Sequence, residues 1–277
     1  MEFQKLLRYS FVLGSIAILA ACSSADSVTG TTTPPVTPTS VTVSGSIFAS
    51  DVGGASVTVK KTDGTTVAGP VTTNSDGTYS VDMLDTDLAS DLVFASTGGG
   101  FVDEETGLNA TAGSMSAYDE GGTLAAGDSV HVTPATTIHA GLITNHGKTP
   151  TEAQTTFFNA FAYNPDISLD PVDITDPASF NADDSARLAG WRAAVFSRLA
   201  SDITLTPEQM FDMFAAIAQD LSDDDMDGSD ASGQVQIGTT GVNTPILDDY
   251  ITAAGSFTLA EAANLKVTYA PPMNCLL

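Results

Sequence analysis

Residues 76–81, which read Asp76-Gly77-Thr78-Tyr79-Ser80-Val81, decide the fold of the N-terminal half of this chain. Asp-Gly is a preferred pair in tight turns between strands, and Tyr79 and Val81 alternate with Ser80 as in a half-buried strand. The pattern predicts an antiparallel β-sandwich over residues 41–132. Similar apolar runs and turn pairs recur at Val41/Val43/Ile47, Val57/Val59, Leu92-Val93-Phe94 and Val130/Val132, with turns at Gly53-Gly54 and Asp63-Gly64.

Three short motifs give this segment a family resemblance. They are Gly45-x-Ile47, Gly54-Ala55-x-Val57-x-Val59 and Thr73-x-x-Asp76-Gly77-x-Tyr79-x-Val81. Over roughly residues 41–96 the chain resembles the carboxypeptidase-regulatory-like domains, which are transthyretin-like sandwiches that recur in bacterial surface proteins. The resemblance implies a fold and no catalytic group, because its Gly, Asp and Tyr positions serve turns and the core.

Helical signals replace the strand pattern after Val132. Thr-Pro pairs place a hydroxyl at the N-cap and a proline at the first helical position. The fold class predicted is α+β, an antiparallel β-sandwich followed by a mainly helical region over residues 133–277. The predicted helices cover residues 134–146, 150–162, 183–200, 207–221, 245–254 and 259–264.

The first residues have the layout of a signal peptide. Lys5 and Arg8 precede an apolar run that is too short to span a bilayer. The run ends in Leu19-Ala20-Ala21-Cys22, which resembles the lipobox of bacterial lipoproteins and implies lipidation of Cys22 followed by removal of residues 1–21. The alternative is an ordinary secretory signal in which Cys22 is incidental.

The segment after Cys22 is predicted to be a tether. Residues 22–40 are rich in Thr, Ser and Pro and have no periodic apolar pattern. No Asp follows Cys22 directly, which favours anchoring by lipid in the outer membrane, on its periplasmic or cell-surface face. If Cys22 is lipidated, Cys275 has no partner for an intramolecular disulfide.

The charge balance narrows the class of partner. The chain has 34 acidic and 9 basic side chains and a formal net charge of −25. Nucleic acids and anionic lipid surfaces attract clustered Lys and Arg, so neither is an expected partner. Cations and neutral ligands remain compatible with the negative charge of the chain.

One acidic stretch has the spacing of a calcium loop. Asp223, Asp225 and Asp227 precede Gly228, and Ser229 follows, as in the D-x-D-x-D-G pattern whose alternate side chains converge on the ion. The twelfth position of the loop is Gln234, which cannot give a bidentate carboxylate. The sequence therefore predicts either a weak calcium site or an ordinary acidic loop after a helix that ends near residue 221.

Two other groups of residues are weaker candidates for a functional site. His139 and His146 share a helix face and could bridge a metal, but no spacing supplies a third ligand, so solvent-facing or capping histidines are expected. The run Asp103-Glu104-Glu105 could offer two carboxylates for glycoside hydrolysis, although adjacent strand residues point to opposite faces. No nucleophile elbow, phosphate loop or haem motif is present.

The function predicted is therefore a surface-exposed, membrane-anchored lipoprotein that serves as a non-catalytic binding or structural module with an extracellular protein or carbohydrate ligand. The alternative is a hydrolase of an extracellular glycan, with the sandwich as an accessory domain. A close pair of carboxylates in a cleft would favour the hydrolase.

Overall fold

Antiparallel strands precede helices along the chain in the computed structural model, which describes residues 37–238, 240–241 and 249–255. The predicted α+β fold class is confirmed. The first strands are β1 (Ser40–Ser46), β2 (Ser56–Lys61), β3 (Thr66–Thr72), β4 (Thr78–Leu84), β5 (Leu92–Thr97), β6 (Gly100–Val102), β7 (Asn109–Thr111) and β8 (Met115–Asp119). The helices are α1 (Pro134–Thr144), α2 (Pro150–Phe161), α3 (Asp184–Asp202) and α4 (Met210–Asp220), with a further helical segment over residues 249–255. Short strands follow α4 as β9 (Ser229–Asp230), β10 (Gly233–Gln234), β11 (Gln236–Ile237) and β12 (Thr240–Gly241).

Two antiparallel ladders organise the β region. Strand β1 pairs with β4, and a four-stranded sheet has the order β3-β2-β5-β8. Val43 and Val81 from the first ladder lie in one hydrophobic core with Val57 and Phe94 from the second, so the predicted alternation does place these side chains inside. Closure of the two ladders into a sandwich stays a prediction.

The segment around His131 runs beside β1. Ser44 and Ile47 form isolated parallel bridges with Ser129 and Val132. The Val130 N–H donates to the Ser44 carbonyl at 2.8 Å. This segment carries the chain from the β region directly into α1.

The helix starts follow the capping signals closely. Thr133 and Thr149 both form capping boxes, at α1 and α2. The helix predicted from residue 207 begins instead at Met210, although Thr206 and Gln209 still exchange backbone-to-side-chain hydrogen bonds. Residues 207–209 form a turn there. The helix predicted at 259–264 lies outside the described residues.

Aromatic side chains fill the centre of the helical region. Phe161 packs against Phe157, Phe196 and Tyr250, with ring centroids 4.6–6.0 Å apart. Helix α1 contacts both β8 and α4, and the hydrophobic core is continuous between strands and helices. The described residues from Pro38 onward cluster as one compact unit. Independent folding of residues 41–132 and 133–277 stays a prediction.

The predictions about the membrane anchor concern residues that mostly lie outside the described part of the chain. Residues 1–21, Cys22, most of the tether and Cys275 lie outside the described residues. Within the described ranges, no helix has the length and apolar character needed to cross a bilayer.

Candidate functional site

A cavity of about 460 Å³ lies where the strands meet the helices. Its volume is within the range of small-molecule sites in proteins. Its wall is formed by the end of β8, by α1, by the start of α2 and by the loop at residues 164–167. The polar side chains that matter for its chemistry are Asp119, Glu120, His139, Gln154, Asn164 and Asp166.

Local structure fixes each wall of this cavity. Asp119 is the last residue of β8 and pairs with Leu92 at the end of β5. His139 lies near the middle of α1, which the Thr133 capping box starts. A ring N–H of His139 donates a hydrogen bond to the backbone carbonyl of Pro150, the first residue of α2. The two helix starts therefore hold His139 against the acidic end of β8.

Asp119 is the most unusual side chain in the cavity wall. It is only 1% exposed, and the Thr123 hydroxyl donates to its Oδ1. Its Oδ2 is buried and has no hydrogen-bond partner among the described residues. Burial raises the pKa of Asp119 to about 6 against the opposing hydrogen bond from Thr123, and the nearby charge of Asp91 raises it further. At neutral pH this carboxyl is therefore mostly ionised, and among the described residues only one of its two oxygens accepts a hydrogen bond.

The acids of the cavity have no positively charged neighbour among the described residues of its lining. Burial lowers the pKa of His139, which keeps its imidazole neutral at neutral pH. Among the described residues that line the cavity there is no Lys or Arg. Asp119, Glu120 and Asp166 therefore give the cavity a negative potential.

A second concavity, of about 620 Å³, lies between the four-stranded sheet and helices α1 and α4. Hydroxyl and amide groups dominate its lining, and the charged side chains are Lys60 and Asp212. Phe211 forms part of its apolar surface. The chemistry of this groove is nearly neutral and contrasts with that of the acidic cavity.

The residues of the predicted calcium loop are used in local turns. The Asp227 Oδ1 accepts from the backbone and the hydroxyl of Ser229, at 3.0 and 2.6 Å. Asp223 and Asp225 each accept a backbone N–H within the loop. In the described part of the chain, no three or more His, Cys, Asp or Glu side chains group in a way that could hold a metal. Calcium binding stays a prediction.

Two other aspartates hold the acidic loop in place. Asp220 is fully buried, accepts the Gly228 N–H at 2.8 Å, and has its pKa raised to about 6 by burial. The Asp224 carboxylate lies 2.7 Å from Nζ of Lys148 and also accepts from the Thr156 hydroxyl. Lys148 and Thr156 hold the pKa of Asp224 below its usual range. The loop is thus tied to α2 through a residue outside the D-x-D-x-D-G pattern.

One serine, one histidine and one aspartate meet elsewhere, beside β1. The Ser46 Oγ lies 2.8 Å from Nδ1 of His131, and Oδ1 of Asp170 lies 3.0 Å from the same nitrogen. A serine nucleophile relay needs the serine and the carboxylate on opposite ring nitrogens. This trio therefore has the geometry of a structural network that ties the 167–170 loop to β1.

The acidic side chains of residues 103–105 make structural contacts. Asp103 accepts from Thr106 in a tight turn, and Glu105 pairs with Arg198 at 3.0 Å. Glu104 is buried and accepts from the Ser197 hydroxyl at 2.8 Å. The three side chains face different partners and do not line the 460 Å³ cavity.

The sequence did not single out the cavity residues. Asp119 and Asp166 are 47 positions apart, and neither belongs to a recognisable motif. Of the cavity residues, only His139 was considered from the sequence, as one of two histidines that could bridge a metal. Among the described residues, no group of side chains could hold a metal. This chain matches no protein-family profile, no curated protein and no solved structure.

Proposed function

We propose that this protein is a lipid-anchored surface lipoprotein that acts as a non-catalytic binding module, with the 460 Å³ cavity as its ligand site. The observation that carries the proposal is the convergence of polar side chains from β8, α1, α2 and the 164–167 loop on one cavity. Concave sites with a few convergent polar groups are the usual form of small-molecule sites. The lipobox-like Leu19-Ala20-Ala21-Cys22 supports the anchor.

The anchor is tested by replacing the modified thiol. The Cys22→Ser variant should lose its acyl chains and leave the membrane fraction, because a hydroxyl is not a substrate for thiol lipidation. The checks are cell fractionation and intact-mass analysis. Membrane retention of Cys22→Ser, together with a wild-type mass without lipid, would remove this part of the proposal.

The ligand site is tested by filling the cavity. Thr151 is exposed and lines the cavity, whereas Thr155 is exposed one turn further along α2 and does not line it. Thr151→Trp should abolish the thermal stabilisation that small amines, sugars and amino acids give to the full chain in detergent. Thr155→Trp is the matched control and should behave as wild type. Equal responses from the two variants would place the ligand elsewhere.

A glycan hydrolase is the second candidate, and one observation favours it. Asp119 has a raised pKa and lines the same cavity as Glu120 and Asp166, as an acid and a base of glycoside hydrolysis would. Release of reducing ends from extracellular glycans, lost in Asp119→Asn, would support the hydrolase.

Calcium remains part of the proposal as a stabiliser of the folded chain. Asp223, Asp225, Asp227 and Ser229 would be its ligands, with buried Asp220 beneath the loop adding negative charge.

A further inference from the structure

The acidic cavity is unusual in how its charge is balanced. Asp119, Glu120 and Asp166 line it, and none of the described residues that line it is Lys or Arg. Several Lys and Arg side chains of the described chain form ion pairs with acids outside this cavity, and Arg192 lines a neighbouring cavity together with Asp166. These ion pairs are Lys61–Asp87, Lys148–Asp224, Arg198–Glu105 and Arg198–Asp202. Among the described residues of the lining, no Lys or Arg therefore balances the negative charge of this cavity.

Asp119 independently indicates that this cavity takes a hydrogen-bond donor. Its side chain is almost fully buried, and its Oδ2 lacks a hydrogen-bond donor among the described residues. Buried carboxylates normally have their acceptor positions filled, since an unsatisfied buried charge destabilises the fold. A ligand with positive charge and N–H donors would satisfy both needs at once.

The size of the cavity and its donor set indicate an organic cation. About 460 Å³ is far more space than a single ion occupies, and no metal-holding group of side chains occurs within the described ranges. Carboxylates and amides make up five of the nine polar side chains of the lining. Tyr118 is the one residue of the lining with a phenol ring, so the wall lacks the several rings of a quaternary-ammonium cage.

We infer that this cavity binds a small organic ammonium ion, a primary or secondary amine with N–H donors, directed at Asp119 and Asp166. The inference rests on the proposed function, since it names the ligand class of the same site. Gln154 and Asn164 would accept or donate further hydrogen bonds to hydroxyl groups of the ligand.

Isothermal titration of the full chain in detergent tests the ligand class. The charged probes are glucosamine and 6-amino-1-hexanol, and their neutral counterparts are glucose and 1,6-hexanediol. Choline is a cation without N–H donors. At fixed ionic strength the amines should bind at least about tenfold more tightly than the neutral compounds and choline. The neutral compounds and choline lack a charged N–H group, so they cannot donate a charge-assisted hydrogen bond to a buried carboxylate. Equal affinities, or no amine binding, would overturn the inference.

Variants separate this site from the general attraction of a protein with net charge −25. Asp119→Asn and Asp166→Asn should each weaken amine binding at least about fivefold. Asp63→Asn removes the same charge at an exposed turn between β2 and β3 and should leave binding unchanged. An equal loss in Asp63→Asn would show diffuse attraction and overturn the inference.

The two proposals fail in different ways. If neutral sugars bind and Thr151→Trp removes that binding, the cavity is a ligand site and the amine class is wrong. If neither amines nor neutral compounds bind in a way that Thr151→Trp changes, the binding site itself is wrong. Circular dichroism of each variant establishes that loss of binding does not come from unfolding.

Discussion

The hydroxyl of Tyr79 donates a 2.8 Å hydrogen bond to the carbonyl oxygen of Val130. The residue opposite Tyr79 in the β1–β4 ladder is Gly45. A Cβ atom at position 45 would lie 1.7 Å from the same carbonyl oxygen. Gly45 therefore makes space for the Val130 carbonyl, and Tyr79 satisfies it. This gives a physical reason for Gly45 and Tyr79, which belong to two of the short motifs in the sequence of the β region.

Tyr79→Phe tests the buried hydrogen bond. The substitution keeps the ring in the core but removes the donor, so we expect a loss of about 1–2 kcal/mol in the free energy of unfolding. Urea unfolding followed by circular dichroism measures it. An unchanged midpoint would mean that the Val130 carbonyl finds another donor.

Gly45→Ala tests the close approach itself. Because the added methyl group meets a backbone oxygen that cannot rotate away, we expect a loss of about 3 kcal/mol or more. Gly100→Ala is the control, since Gly100 is also in a strand and its Cβ would lie 3.8 Å from the Ala110 carbonyl oxygen, which is ordinary van der Waals contact. The control should change stability by less than about 1 kcal/mol. Similar losses in both variants would point to a general intolerance of alanine in these strands.

Glu104→Gln should remove a pH dependence of stability. Burial raises the pKa of Glu104 to about 8, so the folded chain keeps this carboxyl protonated at pH 7, whereas the unfolded chain ionises it near pH 4.5. The wild type therefore loses stability as pH rises from about 4.5 to 8. At pH 7.5 the variant should be more stable by about 4 kcal/mol, and below pH 4.5 the two should match. Exposed Glu208→Gln is the control and should show no such divergence.

Asp119→Asn should also stabilise the fold while it weakens amine binding. The folded pKa of about 6 lies above the ordinary 3.8, so the charged side chain destabilises the folded state at pH 7 and ceases to do so below about pH 4. We expect a gain of about 1–2 kcal/mol at pH 7.5 without ligand, because the amide still accepts from Thr123. Thermal unfolding from pH 4 to 8 measures it, with Asp63→Asn as the control. A loss of stability at pH 7.5 would contradict the assignment of an unsatisfied buried charge.

Calcium should raise the thermal midpoint more than magnesium at the same ionic strength. With Gln234 at the twelfth position, the dissociation constant is expected near 10⁻⁴–10⁻³ M, about the weak end for such loops. A hundredfold excess would then stabilise the fold by about 2.7 kcal/mol. The Asp225→Ala/Asp227→Ala double variant should lose the effect. Equal shifts from both ions, or a shift that survives in the double variant, would indicate charge screening only.

The elements predicted correctly have strong local signals. Alternating β-branched and aromatic residues marked β1, β2, β4 and β5, and Thr-Pro pairs marked the starts of α1 and α2. Strand β3 was not predicted, because Ala68-Gly69-Pro70 in its centre breaks the alternation. Strand β8 was missed as well, since its mostly small or polar residues are buried by the rest of the protein.

The sequence by itself determined the local structure: Asp-Gly turns, alternating strands and capped helices all depend on residues a few positions apart. Only the tertiary structure decided the cavity. Asp119, His139 and Asp166 come from a strand end, a helix and a loop, and neither spacing nor composition predicts that they meet. Burial by distant segments likewise decided the raised pKa values of Glu104 and Asp119, because desolvation depends on what packs over a side chain.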